Sequence, residues 1–85
     1  MDNKLELFKK KLIYRAGYRG TKEMDILLSS FVNKHIDKFD EIQLIELDKF
    51  LNYEDEIILK FYHHNIVEKK IDKNIISKFF KNFKL

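Results

Sequence analysis

Tyr14-Arg15-Ala16-Gly17-Tyr18-Arg19-Gly20-Thr21-Lys22-Glu23-Met24-Asp25 holds both glycines of the chain and breaks a pattern that is helical on either side. Glycine is the residue used where a chain needs positive φ or close backbone approach. Here two of them stand among two arginines, a glutamate and an aspartate. Ahead of this stretch, about Asn3 to Ala16 carries Leu5, Phe8, Leu12 and Ala16 on one helical stripe, and a helix there ends near Gly17 or Gly20. Behind it, about Thr21 to Lys38 carries Met24, Leu27, Leu28, Phe31, Val32, His35, Ile36 and Phe39, the strongest amphipathic pattern in the chain.

Three further helices follow from the same spacing. Asp40-Glu41-Ile42-Gln43 reads as a capping-box variant, opening a helix that turns Leu44, Leu47, Phe50 and Leu51 inward. Glu54-Asp55-Glu56 opens a fourth, since acidic residues in a first turn complement the helix dipole, and it presents Ile57, Ile58, Phe61 and Tyr62. The fifth starts near Asp72 and shows Ile75, Ile76, Phe79, Phe80 and Phe83. Proline is absent and no segment alternates as a strand would. The expected architecture is all-α: a compact antiparallel bundle of five short helices in one domain, residues 1–85.

At 85 residues the chain has an expected radius of gyration of about 12 Å. It buries roughly 60 to 65% of its unfolded surface, which makes a deep, water-excluding pocket hard to fit. The absence of cysteine excludes disulfides, thiolate nucleophiles and cysteine-based metal sites. The N-terminal residues lack the apolar segment of a signal peptide, and no run approaches the length of a membrane span.

The net charge of +3 is segregated along the chain. Residues 1–20 carry six basic and two acidic side chains, residues 21–64 five and ten, and residues 65–85 six and two. A nucleic-acid binder presents a continuous basic face; an acidic middle between basic ends suits a protein partner better. The many lysines, isoleucines and asparagines also fit a genome biased toward A and T.

Catalytic constellations are missing: there is no phosphate-cradling glycine loop after a strand and no nucleophile elbow. His63 and His64 read as a helix-surface pair, and His35 as a half-buried histidine at the border of an apolar face, rather than as metal ligands. The segment Lys78 to Lys84, interleaved with phenylalanines, fits a membrane-surface helix but fits core packing with a solvated lysine face better.

Tyr14-Arg15-Ala16, then Arg19-Gly20-Thr21-Lys22-Glu23-Met24-Asp25, then Leu27-Leu28 and Phe31, resembles the SdhE family of small succinate dehydrogenase assembly factors, with their Arg-Gly-x-x-Glu signature. Without gaps, Leu44, Leu47, Phe50, Leu51, Asp55, Ile58 and Phe61 fall where that family has its third-helix apolar positions, a helix-starting aspartate and a fourth-helix aromatic, so the resemblance covers nearly the whole chain. There are departures: Glu54 and Glu56 stand where bacterial relatives often have prolines, Phe61 stands where a tryptophan is usual, and the connection to the fifth helix lacks its common proline.

The resemblance implies a dedicated chaperone rather than an enzyme. It would bind the flavoprotein subunit of succinate dehydrogenase, and in some bacteria of fumarate reductase, and promote covalent attachment of FAD to a histidine of that subunit. No cofactor is expected to stay on this chain; the covalent chemistry belongs to the flavin and the partner. A bacterial cytoplasmic setting is expected, because few residues precede the matched region.

The implied partner-binding residues are Arg15, Arg19, Gly20, Glu23 and Asp25. The signature residues also have a structural reading. Arg19 suits the C-terminal dipole of the first helix, Gly20 a left-handed cap, and Glu23 half of a capping box if Gly20 is the N-cap. Read as interface residues, Arg19→Ala or Glu23→Ala leaves the fold intact at a cost of at most about 1 kcal/mol. The alternative functions are a small basic helical module that binds nucleic acid and a self-associating bundle without a flavoprotein client.

Overall fold

Five α-helices form where the apolar spacing places them, in a computed structural model that describes residues 3–85; residues 1 and 2 of the expected domain lie outside the described residues. Helix α1 is Asn3–Gly17 and α2 is Lys22–His35, joined by residues 18–21. Because that connection is short and the two helices pack on each other, they run antiparallel. Beyond His35 the helix tightens into a 3₁₀ turn, Ile36–Lys38, which carries Ile36 and Phe39 into the core.

Helix α3, Glu41–Phe50, has both halves of the predicted capping box: Asp40 Oδ1 accepts from the Gln43 amide and Gln43 Oε1 from the Asp40 amide, each at 2.8 Å. Helix α4, Asp55–His64, begins after Glu54, whose side chain makes no cap hydrogen bond. It ends at Asn65 in the left-handed region, φ 57°. Two carbonyls of its last turn, Phe61 and Tyr62, accept from Lys81 Nζ at 2.8 and 2.9 Å.

Helix α5, Ile75–Lys81, starts later than the predicted Asp72, because Ile71–Lys73 forms a separate 3₁₀ turn. That turn follows Lys69 and Lys70, both at positive φ (51° and 60°). Asn74 supplies the true N-cap through Oδ1, 2.8 Å from the Ile76 amide, while its Nδ2 donates to the Glu46 carbonyl of α3 at 2.9 Å.

The core is the set of inward stripes. Leu12 and Ala16 of α1, Met24, Leu28, Phe31 and Val32 of α2, Leu44, Leu47 and Phe50 of α3, Ile58 of α4 and Ile76 and Phe80 of α5 are all fully buried. Phe80 packs edge-on to Phe31 at 5.2 Å and tilts against Phe50 at 5.2 Å, so three helices meet on one ring. Helix α3 also lies against α5 and touches α1, and α4 packs on α5. The radius of gyration is 12.3 Å, as the length implies, and the described residues contain no strand.

Two predicted core positions differ. Ile75 and Phe79 are 42% and 40% exposed, because α5 turns Ile76, Ser77, Phe80 and the following Phe83 inward instead. Phe61, in the position where a tryptophan was usual, is buried under the Lys81 ammonium, 5.4 Å from its ring centre.

Candidate functional site

The α1–α2 connection is held by contacts within it and by ties to the α3–α4 connection. Gly20 has φ +116°, a backbone state that only glycine adopts without strain, and a Cβ built there meets no atom within 4 Å. Thr21, not Gly20, is the N-cap of α2, accepting from the Met24 amide. Glu23 is therefore one position short of the capping-box site, and that half-box reading is corrected: the threonine hydroxyl wins over a glycine that offers no side chain. Asp25 folds back so that Oδ1 accepts from the Arg19 amide at 2.5 Å.

Arg19 points inward. Its Nε donates to Asp55 Oδ1 at 2.8 Å, Nη1 to the Leu51 carbonyl at 2.6 Å and Nη2 to the Tyr53 carbonyl at 2.7 Å. Its side chain is only 11% exposed. The guanidinium thus satisfies the Leu51 carbonyl at the end of α3 and the Tyr53 carbonyl in the connection beyond it, and anchors the first residue of α4. The dipole it complements is that of α3, not of α1 as the sequence suggested. An expected cost of at most about 1 kcal/mol for removing it is too small for a group with three half-buried acceptors. Arg15, one turn earlier, pairs with Asp48 and donates to Asn52 Oδ1 at 2.6 Å, gripping the same end of α3.

Glu23 is different. Its side chain is 60% exposed, and among the described residues it pairs with His63, with Nε2 3.0 Å from Oε2. The contact joins the start of α2 to the end of α4. His63 was read as part of a surface pair, and no sequence spacing marks a partner so far along the chain. Beside the loop, Tyr14 and Tyr18 stack at 4.5 Å while remaining 64% and 72% exposed.

The five implied residues thus fall into two groups. Arg15, Arg19 and Asp25 are spent on internal contacts that shape the loop. Gly20 and Glu23 are left at the surface, where the bare backbone and a carboxylate can be reached. The arrangement offers positioning and hydrogen bonding; among the described residues no three histidine or acidic side chains gather as a metal site, and no described helix is long and apolar enough to cross a membrane.

His35 sits at the far end of α2, half-buried and stacked on Phe39 at 5.7 Å, with Phe31 at 4.9 Å. Burial, reinforced by neighbouring Lys34 and Lys38, holds its pKa below the usual histidine value.

Residues 10–83 match the model of the family described as flavinator of succinate dehydrogenase. Among curated proteins, the chain is 43% identical over 51 residues to succinate dehydrogenase assembly factor 2-B, mitochondrial, of Drosophila simulans, covering 60% of this chain and 33% of that protein. It is 42% identical over 50 residues to succinate dehydrogenase assembly factor 2, mitochondrial, of Meyerozyma guilliermondii, covering 59% of this chain and 37% of that protein. The match thus spans about a third of the length of these relatives. No solved structure matches the chain. With a match that runs from within α1 to Phe83, through the clamped loop and all five helices, the chain belongs to the flavinator of succinate dehydrogenase family.

Proposed function

We propose that this chain is an assembly factor that binds the flavoprotein subunit of succinate dehydrogenase and promotes covalent attachment of FAD to it, without catalysing a step through side chains of its own. The family match over residues 10–83 carries this reading. The loop geometry supports it: a rigid surface carrying Gly20 and Glu23 suits docking, and internal ties from Arg15, Arg19 and Asp25 keep that surface preorganised.

The chaperone's contribution is positional. Holding the client's domains so that its histidine stays within reach of the flavin 8α carbon raises the population of the reactive geometry. Fumarate reductase, whose flavoprotein poses the same positional problem, is a second client class on this reading. A bacterial cytoplasmic setting is part of this reading, although the curated relatives named above are mitochondrial. No structural observation favours nucleic-acid binding over a protein client.

The test is co-expression of the wild-type chain, or its Glu23→Ala variant, with the cognate flavoprotein subunit, reading covalent flavin by in-gel fluorescence after denaturation. Fluorescence that rises with the wild type and not with the folded variant establishes client and surface together. No rise with either protein removes the proposal.

A further inference from the structure

Away from the clamped loop, a groove of about 800 Å³ runs between the C-terminal end of α2 and the outer face of α5. His35, Ile75, Phe79 and Phe83 line its apolar part. Ile75 and Phe79 are four residues apart on one side of α5 and remain 42% and 40% exposed, although the core does not need them. Phe79 is fixed edge-on to Phe39 at 5.5 Å, so the apolar wall is preformed.

The polar edge of the groove is basic. Lys34, Lys73 and Lys78 surround it, against a single acid, Asp72. Elsewhere on the surface three lysines are in ion pairs: Lys49 with Glu46, Lys60 with Glu56 and Glu68, Lys69 with Glu54. Among the described residues, none of the three groove lysines is in an ion pair. An apolar cleft edged by three ammonium groups outside any ion pair, that of Lys34 lying over the Phe83 ring at 5.6 Å, is complementary to an apolar ridge flanked by carboxylates.

We propose that this groove is a second docking site, which takes an acidic amphipathic helical segment of a partner protein. The size fits: α5 has seven residues, about 10 Å of axis, enough to seat two turns of helix with two or three apolar anchors at i, i+3 and i+4. A membrane surface fits less well, because the apolar side chains line a concavity instead of protruding from it. Glu23 and His35 are separated by about 18 Å of α2 axis, so both surfaces can be occupied at once. The proposal stands independently of the client of the glycine loop.

The experiment is an amide NMR titration of the full ¹⁵N-labelled chain with two synthetic helical peptides, about four turns long. They share one leucine face; one has glutamates at every other position and its twin has lysines there. The glutamate peptide is expected to perturb residues 34–39 and 72–83, and the lysine peptide to bind at least about tenfold more weakly. Phe79→Ser is expected to abolish binding, and Lys34→Glu with Lys78→Glu to reverse the preference, each with unchanged circular dichroism. A groove that discriminates neither peptide, shifts confined to other residues, or no shift up to about 1 mM peptide overturns the proposal. So does perturbation of the same amides by phosphatidylglycerol vesicles without peptide binding, or by raising the concentration of the chain alone; these outcomes point to a lipid surface and a second copy, respectively.

Discussion

Arg19 Nε donates to Asp55 Oδ1 at 2.8 Å, tying the turn after α1 to the first residue of α4. The same guanidinium takes the Leu51 and Tyr53 carbonyls, so one side chain closes the α3–α4 connection. Arg19→Ala leaves Asp55 and two carbonyls short of a donor and is expected to destabilise the fold by about 2–3 kcal/mol. Thermal unfolding checks this: for a chain of this size the midpoint falls by more than about 8 °C. Arg19→Lys keeps the charge but loses the planar fork, and most of the loss remains. A midpoint unchanged in both variants contradicts the clamp.

Gly20 is expected to resist substitution for backbone reasons alone. Since an added Cβ meets nothing within 4 Å, the cost of Gly20→Ala is the strain of φ +116°, about 1–2 kcal/mol. A chemically ligated chain with D-alanine at position 20 should keep wild-type stability, because positive φ is ordinary for that hand. If L- and D-alanine are equally harmful, crowding and not conformation governs the site.

The Glu23–His63 contact is expected to matter little to stability. Both side chains are substantially exposed, so a double-mutant cycle with Glu23→Gln and His63→Ala should give a coupling of about 0.2–1 kcal/mol. Loss of flavin attachment in Glu23→Gln, at nearly unchanged stability, then separates docking from folding. A coupling several times larger would make the pair structural.

His35 makes stability pH-dependent. Its folded pKa lies below the unfolded value of about 6.5, so between the two the unfolded chain binds more proton and stability rises with pH. The contribution is complete above about pH 6.5, declines as the pH falls below it, and levels off beneath the lowered folded value. Urea midpoints across this range should show the slope in the wild type and a shallower one in His35→Gln. Equal slopes assign the dependence to other groups.

Asn74→Ala removes both the α5 N-cap and the tie to the Glu46 carbonyl. The expected loss is about 1–3 kcal/mol. Asn74→Asp should restore the cap to Ile76 but not the tie, and so recover only part of the urea midpoint. Complete recovery would leave the α3 contact without weight.

The features legible in sequence were those whose physics is local. The Asp40–Gln43 box lies within one turn, and its residue types allow one arrangement. Apolar spacing of three and four identified all five helices, since the inner stripe of each is long enough to repeat. Helix α5 is the exception: seven residues make two turns, and with Ile75, Ile76, Phe79 and Phe80 together the periodicity does not separate the inner face from the outer. At the signature loop the sequence admits Gly20 as the N-cap, but the position belongs to Thr21, whose hydroxyl accepts from the Met24 amide. The acceptors of Arg19 were least legible, because two are backbone carbonyls and all lie more than 30 residues downstream.

That separation also sets an order of events during biosynthesis. As the nascent chain emerges, α1 and α2 can pair before the remainder exists, but Arg19 meets no acceptor until residues 51–55 have been added. The Arg19 clamp on the loop that carries Gly20 and Glu23 therefore closes only once α4 has begun. A prematurely terminated product that still contains the whole signature would carry the loop without this clamp.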